Sequence, residues 1–420
     1  MIRAAWLRRS VTLADQALSS VSNLLVVVLV ARAVSPRAFG YFVLGYAVLT
    51  VTLGLTRAYF GTRITLADDQ RAARRLTAAL VAGLMVLSPV VAVAVFGASM
   101  VATSGQAPLV CAVIAVATPV VCVQDVLRFG ASAGGRPWAA LLSDAAWIVG
   151  MAVPFVLGLE LDAAAALTLW AGSAAVALAV ALVAFRERPL LRAGLAEVRR
   201  REVVGASLLV GAVLTSCASL LTLYVVARVL DPAAAGSLRG ASTAMGPVNV
   251  LLAFLVLGVT PVLARRDRGS DHRFCWQVGG TAVALVLAWG AVLLLAPRAL
   301  GEAAFGSSWD GVRSVLALTV TEYVWVAVGA AAVMGLKVRR RAADLVRSRI
   351  VAAVSTVGVG TAAALLLQDV MAVAASLALS ALLAAATSWA LLLRTDHQEG
   401  SQVEQLEPPA VAVAGKPGWS

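Results

Sequence analysis

Apolar stretches of about 20 residues follow one another along this chain with little polar sequence between them, each long enough to cross a ~30 Å hydrocarbon core as a helix. Twelve can be delimited, over 11–34, 39–60, 76–98, 108–128, 138–159, 163–185, 203–229, 237–263, 276–297, 312–335, 345–367 and 370–393. With 61% hydrophobic and 13% charged side chains in 420 residues, and a mean hydropathy of +0.90, an ordinary soluble fold is excluded. The expectation is an all-α polytopic membrane protein. The polar gaps around 61–75, 186–202 and 264–275 are too short to fold as domains, and the last stretch, 394–420, rich in Gln, Glu, Pro and Gly without periodicity, reads as a disordered tail.

A net charge of +12 would suggest nucleic acid in a soluble protein, but here the basic residues are sorted by loop. If the N-terminus is cytoplasmic, 27 of the 34 Lys and Arg fall in inner segments, and six (Arg32, Arg37, Arg228, Arg239, Arg298 and Arg313) in outer ones. Arg57, near the inner end of the second span, is the remaining one. This asymmetry predicts a multi-pass membrane protein with both termini cytoplasmic, its inner Arg clusters facing anionic lipid headgroups and no nucleic acid as partner. Arg8-Arg9 ahead of the first apolar run resembles an export signal. That run is span-length and holds Asp15, Gln16 and Asn23, so it reads as a retained first helix.

The chain is also duplicated. Ala31-Arg-Ala-Val-Ser-Pro-Arg-Ala-Phe-Gly40 returns 196 residues later as Ala227-Arg-Val-Leu-Asp-Pro-Ala-Ala-Ala-Gly236, with five of ten positions identical. Each copy falls between two spans. Ser35 and Asp231 suit an N-cap, Pro36 and Pro232 the first helical position, and Gly40 and Gly236 a close helix approach. The same offset carries Asp15, Ser19 and Asn23 onto Gly211, Thr215 and Ser219, and places Asp125 near Glu322. Six spans plus six, in the same orientation, is the simplest architecture: 1–200, then 201–393, then a tail over 394–420.

Ionisable residues at membrane depth are costly and mark the residues worth watching. Asp15, Ser19 and Asn23 lie on one face of the first span, and such a stripe should face the bundle interior. Asp125 and Arg128, with Gln124, are one turn apart; they either pair with each other or line a cavity. In the second case Arg57, Arg128 and Arg239 would offer bidentate contacts to a phosphate or diphosphate while carboxylates couple protons or cations. Asp144 and Glu322 are equally suited to helix packing and to a cavity. Pro119, Pro247 and Asn249 are places where a span can locally lose its helical bonding. The first half, where Asp15 faces Gly211 of the second copy and Arg57 faces Ala253, is where coupling and cargo residues are first expected.

Catalysis finds no support in the residue inventory. His272 and His397 lie in a loop and the tail, no Gly-x-x-x-x-Gly-Lys-Ser/Thr loop is present, and Cys111, Cys122, Cys217 and Cys275 lack ligand spacing. A non-enzyme without metal or cofactor is expected.

Asp15-Gln-Ala-Leu-Ser-Ser-x-x-Asn23 followed by Val30-Ala-Arg-Ala-Val-Ser-Pro36 and Phe39-Gly40 resembles the first two helices of polysaccharide-biosynthesis flippases. These belong to the multidrug, oligosaccharidyl-lipid and polysaccharide exporter superfamily. Gln124-Asp-Val-Leu-Arg-Phe129, Gly135-Arg-Pro137 and Asp144-x-x-Trp147 are similar to their fourth and fifth helices. The resemblance implies two six-helix lobes in a V, as in the MATE transporters, around a central cavity. It further implies alternating-access translocation of a lipid-linked oligosaccharide across the plasma membrane, with a polysaccharide polymerase or glycosyltransferases as neighbours. The chain departs from it in offering only Arg57, Arg128 and Arg239 where a dense set of cavity arginines is expected. The rival readings are a cation-coupled small-molecule exporter of the same superfamily and a non-transporting scaffold of a polysaccharide assembly complex.

Overall fold

The computed structural model describes the backbone of residues 2–406 except 160, 187–190, 201–202, 253–262, 264–270 and 340, and most side chains between 18 and 394. In chain order, α1 (Ile2–Ala33) and α2 (Pro36–Thr56) are followed by a π-helical turn at Arg57–Gly61 and by α3 (Thr62–Thr65). Then come α4 (Gln70–Ala102), α5 (Pro108–Ala133), α6 (Pro137–Leu157), α7 (Ala163–Phe185) and the short α8 (Leu191–Arg199). The second half consists of α9 (Val203–Val229), α10 (Pro232–Ala244), α11 (Asp271–Leu295), the short α12 (Arg298–Phe305), α13 (Trp309–Val338), α14 (Ala342–Leu367) and α15 (Val370–Leu406).

Among the described residues, ten helices are long and apolar enough to cross a bilayer. The first expected span lies within the 32-residue α1. The eighth is helical through α10 and again over 246–252, beyond which it leaves the described residues. The expected all-α, duplicated membrane bundle is therefore the observed one.

The repeated motif starts a helix twice in the same way. Ser35 accepts the Ala38 N–H at its side chain and Pro36 opens α2; Asp231 accepts the Ala233 N–H at 2.7 Å and Pro232 opens α10. The two copies then pack against each other. A Cβ on Gly40 would stand 1.8 Å from the Pro232 carbonyl oxygen, and one on Gly236 3.0 Å from the Phe39 ring. Only a residue without a side chain permits that approach.

Around this contact lies one apolar core drawn from both halves, including Val26, Phe39, Ile114 and Leu167 from the first and Val226, Leu238, Val312 and Val373 from the second. At the opposite end the core divides. Ile64, Leu80, Leu127 and Phe185 form a cluster of the first half alone, and Met334, Leu336, Trp389 and Leu392 one of the second. Two bundles joined at the hairpin face and separate at the basic face give the V shape.

One gap between spans holds a short helix, and the tail, expected to be disordered, begins as one. The gap 186–202 contains α8, whose apolar positions 191, 195 and 198 share one face; it docks on α4 so closely that a Cβ on Gly83 would meet the Gly194 carbonyl oxygen at 2.6 Å. The tail is helical as far as Leu406, so disorder does not begin at Arg394. Residues 407–420 lie outside the described residues.

Candidate functional site

The charged residues of the first half converge on one cluster. Arg57, the first residue of the π-helical turn, donates from Nε and Nη2 to the two carboxylate oxygens of Asp125, both at 2.8 Å. Arg128, one turn on from Asp125 along α5, donates to the same carboxylate at 3.1 Å and to the Ser19 hydroxyl of α1 at 2.9 Å. Its Nε stands 3.1 Å from an oxygen of Asp144 on α6. Gln124 completes the chain by donating to Ser143 and Asp144, and Ser143 donates to the Ala177 carbonyl of α7. Asp125, Arg128, Asp144 and Gln124 are all buried, whereas the Arg57 side chain keeps 40% of its surface exposed.

Arg57 itself keeps α-helical backbone, its N–H bonded to the Leu53 and Gly54 carbonyls, and the π turn begins at its own carbonyl, which the Thr62 N–H reaches. Two guanidinium groups and two carboxylates then neutralise one another, binding four helices together. Both readings of Asp125 and Arg128 as partners or cavity groups began from their spacing; the structure pairs them and adds Arg57 and Asp144. Asn23 holds a separate position, accepting from the Tyr46 hydroxyl at 2.9 Å and donating to the Ser19 carbonyl. Asp15 lies on α1, but its side chain is outside the described residues.

The second half is built differently. A cavity of about 500 Å³ opens among α9, α10, α13, α14 and α15. Arg239, Glu322, Lys337 and Arg349 all line it, and among the described residues none of them has a side-chain hydrogen bond or ion pair. Glu322 and Lys337 belong to a single stripe of α13, with Val326, Gly329 and Val333 between them, all on the cavity wall. The intervals of four, three, four and four residues keep the stripe on one helix face. On the other side the α15 wall is made of alanine and serine, with Ser388 against Ser348 of α14 at 2.6 Å. Small residues there are what leaves the volume open. Arg239 also lies within electrostatic reach of Tyr46 in the first half, as does Arg57. The two halves thus present their arginines to one shared region.

A helix break forms part of the cavity wall. Backbone turns at Met245, and Pro247 has no N–H to return to the Thr243 carbonyl. The carbonyls loosened there are taken up by side chains: the Tyr323 hydroxyl donates to Ser242 O at 3.2 Å and the Trp289 indole to Ala244 O at 3.0 Å. Asn249 in turn donates to the Tyr323 hydroxyl at 3.1 Å. By contrast α5 runs unbroken through Pro119. The residues flanking the break, Ser242 and Asn249, line the cavity, whereas Pro247 itself is exposed.

Lys337, Arg349 and Tyr323 escaped the sequence reading. Lys337 and Arg349 fall among the 27 inner basic residues, although the spacing of Glu322 and Lys337 already sets these two on one helix face with Val326, Gly329 and Val333. Tyr323 gives no signal until the break beside Pro247 is known.

No protein-family model matches the sequence, and no curated protein is similar to it. Solved structures are. An inward-facing multidrug resistance MATE family transporter of the MOP superfamily overlays with a TM-score of 0.70 at 14% identity, over 96% of this chain and 100% of that one. Its fold is that of the MOP-superfamily transporters. The lipid II flippase MurJ, in an inward closed conformation, is similar over 91% of this chain and 86% of its own, with a TM-score of 0.63 and 9% identity. An outward-facing MATE transporter gives 0.63 at 15% identity, over 96% of both chains. At these identities the likeness extends to the MOP fold alone.

Proposed function

We propose that this MOP-fold chain is an alternating-access flippase or exporter of lipid-linked oligosaccharide in the plasma membrane, performing no covalent chemistry. The observation that carries the reading is the set of cations on the wall of the second-half cavity that have no side-chain partner among the described residues. A diphosphate brings several anionic oxygens, and either Lys337 with Arg349 beside it or Arg239 at the other end of the stripe can meet them without first giving up a carboxylate. The hydroxyl- and alanine-lined wall suits a saccharide, which needs hydrogen bonds and room. Arg57 contributes from the facing half through its exposed edge, while Arg128, with both carboxylates around it, positions Asp125 and Asp144. The lipid tail stays in the bilayer.

The cytoplasmic assignment of both termini puts the joined hairpins on the outer face and the divided cores on the inner one. In this arrangement the cavity is loaded from inside. Glu322 stands alone on the same wall and is the natural site for a proton or cation that drives the cycle.

That lone carboxylate also favours the second reading, a cation-coupled exporter of small cationic molecules, in keeping with the multidrug transporters of the same fold. Translocation of a fluorescent lipid-diphosphate saccharide by reconstituted protein separates the two. Arg239→Gln should slow it at least ~10-fold, the loss of about one charge-assisted contact. Unaltered saccharide translocation in Arg239→Gln, with cationic dye efflux lost in Glu322→Gln, would establish the exporter instead.

A further inference from the structure

At the hairpin face a second cavity, of about 360 Å³, sits directly on the seam between the halves. One side is formed by Arg37 and Tyr41 of α2 and by Thr103, Ser104 and Gln106 after α4; the other by Arg228 of α9 and the turn at Asp231-Pro232. Pro232 is also the residue whose carbonyl abuts Gly40, so the cavity borders the tightest contact between the two repeats. We infer that this cavity is a binding site for a phosphate-class oxyanion, which latches the hairpin face shut.

The argument rests on charge and on which half supplies it. Arg37 has no hydrogen bond or ion pair among the described residues. Arg228 donates only to the neutral Ser104 hydroxyl, at 2.9 Å, and that bond already crosses the seam. The cavity's one carboxylate, Asp231, is engaged in capping α10 through the Ala233 N–H. Closing the face therefore brings two guanidinium groups from opposite halves to one cavity, in which the capping carboxylate of Asp231 balances only one of them. Their repulsion opposes closure unless an anion lies between them. A doubly charged oxyanion fits best, because each guanidinium can take two of its oxygens. The Ser104 and Tyr41 hydroxyls and the Gln106 amide supply further neutral donors.

Such a ligand bridges both halves, so it binds only when they meet. By mass action it then stabilises the closed face, and at a hundred times its Kd it shifts the closed-to-open ratio about 100-fold. Free phosphate and the phosphate of a lipid headgroup share this chemistry. The site is independent of the cargo proposed above; only its effect on cycling rests on alternating access.

Hydrogen exchange read by mass spectrometry on the full chain in neutral-lipid nanodiscs tests it. Inorganic phosphate, against chloride at matched ionic strength, should slow exchange of the backbone amides at 36–44 and 228–238 saturably. Arg37→Gln and Arg228→Gln should abolish the response. Arg37→Lys and Arg228→Lys, which keep charge and fold, should need more phosphate, and Arg239→Gln should respond as wild type, separating this site from the cargo cavity. A response that appears only when phosphatidic acid is placed in the nanodisc assigns the site to a headgroup. Equal slowing by chloride, no slowing by either phosphate source, or an undiminished response in both Gln variants overturns the proposal.

Discussion

Asp125 and Glu322 occupy corresponding helices of the two halves, yet their surroundings are opposite. Asp125 is buried beneath Arg57 and Arg128, with Asp144 closing the circuit. Glu322 faces an open cavity without a partner among the described residues. The duplicated scaffold has kept an acid at membrane depth in both copies and given it two employments. In the first half charge satisfies charge and fastens helices together, whereas in the second it is left available. A buried ion-pair cluster of the first kind is strongly destabilised when one member is removed, because the others remain charged and buried. An unpaired group on a cavity wall costs little to remove.

The contrast can be broken most decisively at Asp125. Asp125→Ala strands two arginines and should cost about 3–5 kcal/mol, seen as a large fall in the unfolding midpoint in detergent. Glu322→Gln should leave that midpoint within about 0.5 kcal/mol of wild type. Equal destabilisation by the two changes would show that the halves are not differently employed. Next in size is the seam: Gly40→Ala drives a methyl group into the Pro232 carbonyl and should cost about 1–3 kcal/mol of the closed arrangement. Exchange at the hairpin amides should quicken while that of the basic-face ends of α4 and α5 is unchanged. The smallest expected effect belongs to the helix break. Tyr323→Phe removes the donor to the Ser242 carbonyl, a loss of about 1 kcal/mol, measurable as a modest shift in midpoint without loss of helicity.

The fold was largely legible in the sequence because its causes are local or periodic. Span-length apolar runs and the Ser/Asp-Pro start of each repeat act within a few residues, and each reappears as a helix or a cap. The repeat also carried more than its local reading: Gly40 and Gly236 suggested close helix approach, and their neighbour proved to be the other copy. The site was only partly legible. Spacing brought Asp125 to Arg128, but Arg57 reaches Asp125 across 68 positions of sequence, from the start of a π turn that no residue pattern announces. Lys337 and Arg349 were hidden for another reason. Basic residues at the end of a span look like headgroup anchors, and only the packing of α9, α14 and α15 shows that these two point into a cavity. The N-terminal half drew attention because its intramembrane charges stand close together, yet such charges neutralise one another, while Arg239, Glu322, Lys337 and Arg349 of the second half have no side-chain partner among the described residues.

The claim that the second half holds the cargo while the first holds the fold is tested most directly by binding. An undecaprenyl-type diphosphate can be titrated into purified full-chain protein, with the unfolding midpoint recorded for each variant. Arg239→Gln and Lys337→Gln are expected to raise Kd at least ~10-fold at an unchanged midpoint, the equivalent of about 1.4 kcal/mol each. Asp144→Asn should lower the midpoint, with the folded fraction binding as wild type. Wild-type affinity in both cavity variants, or loss of binding by folded Asp144→Asn protein, would contradict the account.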